Sequence, residues 1–349
     1  MKIAGPDAPR SFPPAALQMA RPSTPDITGT AKRTAPPATQ PQPAADAGAR
    51  SLALNLVVSL RPSQWTKNLV VLLALLFGQR LTDPRSVVLA VAAFAIFCVL
   101  SGVVYLINDV ADRDADRRHP VKRRRPIASG AVPVSVALTL AAVLAFAGIG
   151  AAFAVRPAFG LIALSYVVLL ALYSGPLKHI VIIDVLTIAI GFVLRAAAGA
   201  IAIAVAFGAW LYMLTILLAL FLALSKRRHE LVLLADGATG HRRILQEYSP
   251  YLLDQMISVV TASTLVAYAI FTISPETMAK FHTDRLGLTL PFPLYGIFRY
   301  LYLVHQKDGG GNPSDTLLAD KPLLSCVAIW AAVVALIIYG PPHVVQWGR

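Results

Sequence analysis

Between Asn108 and Gly130 the chain reads NDVADRDADRRHPVKRRRPIASG, four acidic side chains followed at once by a basic run. On a continuous helix Asn108, Asp112 and Asp116 recur at i, i+4 and i+8 and share one face, with Asp109 beside them and Asp114 turned away. Like charges stacked at that spacing repel, so the pattern is costly unless a cation is shared. Hard oxygen ligands suit Mg²⁺, which takes one or two carboxylates, waters and the oxygens of a substrate phosphate. Arg117, Arg118, Lys122, Arg123, Arg124 and Arg125 come next, and guanidinium groups beside a carboxylate-bound metal can grip phosphate in bidentate fashion. A plain basic loop whose acids balance its bases is the other reading, and it leaves the aspartate spacing without a reason.

A second polar cluster, SKRRHE at 225–230, follows a long apolar run. Lys226, Arg227, Arg228 and Glu230 fall at a helix end, where cations complement the C-terminal dipole or anchor the helix to headgroups; phosphate recognition and anchoring both stay open for them. Arg242 and Arg243 can equally be solvated. Asp184 and Arg195 lie within one apolar run, and an ionisable group in lipid costs at least a few kcal/mol, which makes both functional candidates. They are 11 residues apart, about three helical turns, and so share a face without touching. Arg195 can instead satisfy an internal polar contact. Gly191 and Gly199 suit close helix packing. The 7 histidines are scattered, with no HExxH pair and no Ser/His/Asp arrangement, so metallohydrolase and serine-hydrolase chemistry have no support.

These residues need elements to carry them. The 349 residues are 56% hydrophobic and 14% charged, with a mean hydropathy of +0.65, against about 25% charged in a soluble domain. The expected fold is all-α and multispanning. Spans are expected near 67–79 (after an amphipathic stretch from Leu52), 87–107, 132–155, 158–173, 181–204, 210–224, 252–274, 286–304 and 323–340, nine in all, with polar loops 108–131 and 225–250. Residues 1–50 hold 10 of the 25 prolines and no long apolar run, which predicts a disordered tail ahead of a catalytic domain over 51–349. Of the 31 Lys and Arg, 23 fall on the side of the tail and the two polar loops and 6 on the other. That bias places the amino terminus and both clusters in the cytoplasm. Orientation thus accounts for the net charge of +13, and no nucleic-acid partner is called for. Cys98 and Cys326 lie in apolar runs and offer no disulfide framework.

The motif NDxxDxxxD, here Asn108, Asp109, Asp112 and Asp116, at the end of the second expected span, resembles the UbiA-type intramembrane prenyltransferase superfamily. Within it, RPSQWTKN at 61–68, DADRRHPVKRRRPIASG at 114–130, YSGPLKHIVIIDVLTIAIGFVLRAAAG at 173–199, SKRRHE at 225–230 and GGGNPSDTLLADKPLL at 309–324 are similar to the decaprenyl-phosphate phosphoribosyltransferase branch. Prenyl-diphosphate members of the superfamily have a second aspartate-rich motif, DxxxD, after the sixth span. This chain has KRRHE there instead. One acidic and one basic motif suit a sugar diphosphate on a metal with further phosphates on the cations.

The resemblance implies a UbiA-like bundle of about nine helices in a bacterial-type plasma membrane. It implies transfer of the 5-phosphoribosyl group of phosphoribosyl diphosphate to a polyprenyl phosphate, releasing diphosphate, for synthesis of a cell-envelope glycan precursor. Mg²⁺ is the expected cofactor, on Asn108, Asp112 and Asp116, with Asp109, Asp112 and Asp116 as the catalytic carboxylates. Lys67, Arg118, Lys122, Lys178, Lys226 and Arg227 are the expected phosphate holders, Tyr173 and Arg195 further contributors, and Arg124 and Arg125 can be headgroup contacts. Self-association in the membrane is compatible with this, at no particular stoichiometry. Two other activities stay open: prenyl transfer from a polyprenyl diphosphate to an aromatic acceptor, against which the missing second acidic motif argues, and anion transport with Asp184 and Arg195 as an intramembrane relay. Transport is weakened because the charge clusters outside the bilayer and no inverted repeat is evident.

Overall fold

A computed structural model describes residues 51–235, 247–307 and 311–340. The tail 1–50, Arg242 and Arg243 lie outside the described residues, as does the carboxyl terminus from 341. Every regular element among the described residues is helical. Helix α1 (Leu52–Ser59) leads into a 3₁₀ segment, Pro62–Leu72, which continues as α2 (Leu73–Phe77). Then come α3 (Pro84–Ala111), α4 (Arg113–Arg118), α5 (Pro126–Ser129), α6 (Val134–Val155), α7 (Pro157–Ser174), α8 (Ile183–Ala202), α9 (Ala209–Ala235), α10 (Pro250–Ile273), α11 (Pro275–Phe281), α12 (Pro291–Gln306), α13 (Pro313–Ala319) and α14 (Lys321–Tyr339).

Seven of these helices are long and apolar enough to cross a membrane: α3, α6, α7, α8, α9, α10 and α14. The nine expected spans are therefore not all matched, and the two that differ are the first and the eighth. In the first, Pro62 opens the segment and Gln64, Thr66, Lys67 and Asn68 break its apolar character. Its 11 residues form a 3₁₀ helix, which rises about 2 Å per residue and so reaches roughly 22 Å before α2 begins. In the eighth, a 3₁₀ turn at Arg285–Thr289 precedes the 16 residues of α12. Arg299 on α12 lies 2.8 Å from Asp320, the residue that caps α14 by accepting the Leu323 N–H. Apolar side chains such as Val88, Phe146 and Val259 stay exposed on the outer faces of the long helices, as suits helices solvated by hydrocarbon.

Helix α8 is the element around which the others gather. Its sequence, IDVLTIAIGFVLRAAAGAIA, is rich in small residues, and Ala189, Ala196, Ala198, Ala200 and Ala202 are all buried. Small side chains allow backbones to approach closely, which is how membrane helices associate when hydrocarbon surrounds them on every side. Helix α8 accordingly packs against the 3₁₀ segment, α7 and α9. One core, containing Val71, Phe97, Phe159, Tyr166 and Ala198, joins α8 to the 3₁₀ segment, α3 and α7. Another, containing Val185, Phe221, Leu253, Ile257, Tyr300 and Leu323, joins it to α9, α10, α12 and α14. The closest approach is at Gly199, where a Cβ would lie 1.9 Å from the carbonyl oxygen of Val71.

Gly199→Ala is therefore expected to push the 3₁₀ segment off α8. Overpacking of this kind costs about 1–3 kcal/mol, so the melting temperature of the detergent-solubilised protein should fall. Gly150→Ala, at a glycine with no atom near the Cβ position, should leave it unchanged.

Candidate active site

The acidic motif sits where α3 ends. At 28 residues, α3 is about 42 Å long, longer than the roughly 30 Å hydrocarbon core, so its last turns extend beyond it. The helix stops at Ala111, Asp112 takes a capping conformation (φ −90°, ψ 5°), and α4 starts one residue later. This break changes the expected stack. Asp116 turns inward and is buried, as is Asp109. The Arg125 guanidinium joins them, donating to Asp109 Oδ1 at 3.2 Å and to Asp116 Oδ2 at 2.6 Å. Asp109 Oδ1 also accepts from Arg61, a residue in the left-handed region (φ 53°) whose guanidinium lies 4.7 Å from the Tyr105 ring centroid. Asp112 stays half exposed on the other side, with Lys178 Nζ 3.8 Å from its Oδ1. Asp114 faces solvent, its side chain 87% exposed. Arg125 is thus a clamp on two motif aspartates, where the sequence left a headgroup contact open.

The basic cluster divides in a similar way. Arg227 is 1% exposed. It donates to Asp184 Oδ2 at 2.7 Å, to Tyr173 Oη at 2.9 Å and to Glu230. Asp184, wholly buried, accepts a second bond at 2.8 Å from Tyr248, whose hydroxyl also accepts the Ile182 N–H at 2.7 Å. Burial pushes the Tyr248 hydroxyl up to about 12, so it remains a donor to the carboxylate. Ile182 has φ 69°, a conformation that a β-branched residue rarely adopts, and the Tyr248 contact holds it there. An uncompensated buried charge costs several kcal/mol; here the cation and the anion compensate each other and are saturated by hydroxyls. Arg227 is a crosslink among α7, α8 and α9, and is not open to a phosphate. Lys226, next to it and 37% exposed, lies 3.8 Å from Glu230. On the opposite side Arg228 pairs with Asp254.

Asp184 and Arg195 take separate partners. Arg195 is 6% exposed and donates to Asn68 Oδ1 at 2.8 Å, Gly191 O at 3.0 Å and Tyr166 Oη at 2.6 Å. Its guanidinium lies between the rings of Tyr166 and Phe192, 4.6 and 5.1 Å from their centroids. No carboxylate stands within ion-pair distance of it among the described residues. Asn68, fully buried, completes its contacts with Ser101 Oγ at 3.1 Å. Lys67 precedes it, within electrostatic reach of Lys226, Arg195, Arg61 and Asp315. Asp315 is on α13, which packs on the 3₁₀ segment. Arg118, the last residue of α4, and Lys122, in the 3₁₀ turn that follows, are both exposed.

The sequence reading missed Arg61, Asn68, Tyr166 and Tyr248 as partners of the charged residues. Asn68 carried a usable signal, a buriable amide directly before the apolar run from Leu69.

The sequence model of the UbiA prenyltransferase family matches residues 68–315. The chain belongs to this family. UbiA relatives include a decaprenyl-phosphate phosphoribosyltransferase of Corynebacterium glutamicum, 31% identical over 299 residues, 84% of this chain and 89% of that protein. A protein of the same name from Mycobacterium tuberculosis is 31% identical over 83% of this chain and 96% of its own length. Among solved structures, a UbiA homolog from Archaeoglobus fulgidus bound to GPP and Mg²⁺ superimposes with a TM-score of 0.61 at 18% identity, covering 81% of this chain and 99% of that one. The resemblance carried by NDxxDxxxD is borne out, as is the all-α UbiA fold. The chain is a multi-pass membrane enzyme of the transferase class.

The donor set at the motif suits a hard cation. Asn108 and Asp112 offer oxygens at the break, and Asp112 is open. No cluster of three or more His, Cys, Asp or Glu able to cage a metal is found among the described residues, but Mg²⁺ bound through one or two carboxylates and substrate phosphates needs no such cage.

Arg227→Ala strands Asp184 without its cation and should cost about 3–5 kcal/mol. The expected result is a large drop in melting temperature and in folded yield. Arg227→Lys, which keeps the charge and loses the fork, should recover part of it. A variant that folds with wild-type stability would show that the buried pair is dispensable.

Proposed function

We propose that the enzyme transfers the 5-phosphoribosyl group of phosphoribosyl diphosphate to a polyprenyl phosphate in a Mg²⁺-dependent reaction. The observation that carries this reading is the pairing of one carboxylate motif with a basic second motif. Lys226 and Arg227 stand where a second acidic pair would hold a second metal for a lipid diphosphate, and Arg227 uses Asp184 and Glu230 for itself. The relatives named decaprenyl-phosphate phosphoribosyltransferase support the same assignment. The product class is a lipid-linked pentose phosphate, an activated precursor of envelope glycans.

In the reaction an oxygen of the lipid phosphate forms a bond to C1 of the ribose as the C1–O bond to diphosphate breaks, and diphosphate leaves with the electron pair. Asn108 and Asp112, at the break, would hold Mg²⁺, which would neutralise charge on the leaving diphosphate, while Asp116, expected as a third ligand, is engaged by Arg125. Lys178, 3.8 Å from Asp112, adds a cation on the same side, and Arg118 and Lys122 attract the anionic donor from solution. Asp109 orients Arg61 and Arg125. The attacking phosphate is already an anion at neutral pH, so the chain supplies position and needs no general base. The positive-inside bias supports a cytoplasmic site in a bacterial-type plasma membrane. A transport relay between Asp184 and Arg195 is disfavoured, since each is saturated by its own buried partners.

Purified protein with radiolabelled phosphoribosyl diphosphate, polyprenyl phosphate and Mg²⁺ should yield a labelled lipid. Consumption of a polyprenyl diphosphate with an aromatic acceptor, and none of phosphoribosyl diphosphate, would make the enzyme a prenyl transferase instead.

Asp112→Asn should reduce turnover by about a hundredfold or more, and Asp114→Asn, on the exposed side of α4, should leave it near wild type. Equal losses in both, at equal folded yield, would remove the motif's break at Asp112 as the basis of the assignment.

A further inference from the structure

A groove of about 440 Å³ opens between α10 and α12, within the roughly 300–1,000 Å³ of ligand-sized pockets. Asp254, Thr261 and Leu265 line it from α10, at i, i+7 and i+11, and Phe298, Leu301 and His305 from α12, at i, i+3 and i+7, so one stripe of each helix forms each wall. Phe298 is 54% exposed, and Ser258 and Ala262 on the facing wall are exposed as well. The groove therefore faces the hydrocarbon around the bundle. One end of it is charged. Arg228 of α9 donates to both carboxylate oxygens of Asp254, and His305 Nε2 lies 3.4 Å from Asp254 Oδ1. The Asp254 side chain stays 39% exposed, against 18% for Arg228. From Asp254 to Leu265 the helix advances about 16 Å, half of the roughly 30 Å hydrocarbon core. The groove thus runs from a charged mouth beside the second motif to the middle of the bilayer, the depth of one leaflet.

Depth and polarity select the occupant. The Thr261 hydroxyl is buried with no hydrogen-bond partner among the described residues, about 10 Å from Asp254 along α10, and an unpaired hydroxyl in an apolar medium is costly. A glycerophospholipid carries acceptors at that depth, the ester carbonyls between its headgroup and its chains. A long polyprenyl chain has no polar atom beyond its phosphate and would outrun a groove one leaflet deep. The mouth then selects the headgroup. It presents a carboxylate and a guanidinium side by side, and a head with an ammonium and a phosphate side by side is complementary to it, the ammonium meeting the exposed carboxylate. A primary ammonium can donate hydrogen bonds to Asp254, a quaternary one cannot, and a purely anionic head would meet Asp254 as a like charge.

We infer that the α10–α12 groove binds one aminophospholipid of the leaflet on the side of the two motifs, its ammonium on Asp254 and one acyl chain along Leu265, Phe298 and Leu301. The site is separate from the acidic motif and stands whichever transfer the enzyme performs. Arg228 belongs to α9, Asp254 to α10, and His305 to the last turn of α12, so an occupied groove ties three helices together at the headgroup and stabilises the fold by mass action.

The test is native mass spectrometry of the full chain, delipidated in detergent and titrated with phosphatidylethanolamine, phosphatidylcholine and phosphatidylglycerol of identical acyl chains. Phosphatidylethanolamine should bind about tenfold more tightly than either of the others. Ala262→Phe, which fills the groove from its exposed wall, should weaken that binding by about tenfold or more. Asp254→Asn should remove the preference over phosphatidylcholine, and Phe146→Ala, on the exposed face of α6, should change neither result. Because Ala262 is an exposed position, its variant keeps the test decisive even if Asp254→Asn, which also releases Arg228, lowers the folded yield. Equal retention of the three lipids, tighter binding of phosphatidylglycerol, or binding untouched by Ala262→Phe overturns the inference and leaves only lipid adhering to the outer surface. If polyprenyl phosphate displaces phosphatidylethanolamine and its own binding is lost in Ala262→Phe, the groove belongs to the acceptor. If Ala262→Phe instead changes the oligomeric mass of the lipid-free chain, the groove is an interface between copies. Either result overturns the inference too.

Discussion

A guanidinium and a carboxylate buried together between two membrane helices constrain everything near them. Removing either leaves a charge in an apolar medium, at a cost of several kcal/mol, so the Arg227–Asp184 contact fixes the register of α8 against α9. It does more, because each partner is saturated by groups from elsewhere. Tyr173 brings the end of α7, Glu230 the next turn of α9, and Tyr248 the segment ahead of α10. Tyr248 in turn accepts from Ile182 and steadies the strained start of α8. The loop carrying Lys178 runs between Tyr173 and Ile182, so its reach to Asp112 is set by the same network. The geometry of the acidic motif therefore depends on a cation that never meets solvent.

A second constraint acts from the other face of α8. The small residues there let the 3₁₀ segment approach until Val71 meets Gly199, and Arg195 then reaches Asn68. A 3₁₀ helix is less stable than an α-helix and usually short. Here it runs for 11 residues, braced on one side by α8 and on another by Asn68 bonded to Ser101 of α3. The outcome is that Lys67 and Asn68 are carried on a segment packed against α8 and α3, whose polar residues would otherwise be expensive in a membrane.

Much of this was legible in the sequence. Seven spans follow directly from apolar runs, because length and hydropathy are what a bilayer selects, and the acidic motif, the basic second motif and the family were visible as residue patterns. What failed to show has physical reasons. The stack of Asn108, Asp112 and Asp116 presumes a continuous helix, and nothing in NDVADRDAD signals a break at Asp112; the break follows from Arg125, nine residues beyond Asp116, clamping that residue beside Asp109. Arg227 looked like a phosphate ligand because a sequence shows charge and not burial, and its partner Asp184 is 43 residues away. The first expected span is a 3₁₀ segment for most of its length, which residue types alone do not separate from an α-helix, and the eighth is an α-helix of 16 residues behind a 3₁₀ turn, shorter than the apolar run suggested.

The basic second motif changes the site in two ways that point in the same direction. A carboxylate pair there would recruit a further metal and so a further diphosphate oxygen. Arg227 instead neutralises Asp184 internally and shares Glu230 with Lys226, so the second motif itself has no unpaired carboxylate to offer a metal while Lys226 stays partly exposed. For the proposed transfer this matters because a lipid diphosphate held by two metals would find no second carboxylate pair on α9, whereas a donor diphosphate that shares one metal with the acidic motif needs none there. The basic second motif therefore argues for a sugar diphosphate as the donor and against a prenyl diphosphate.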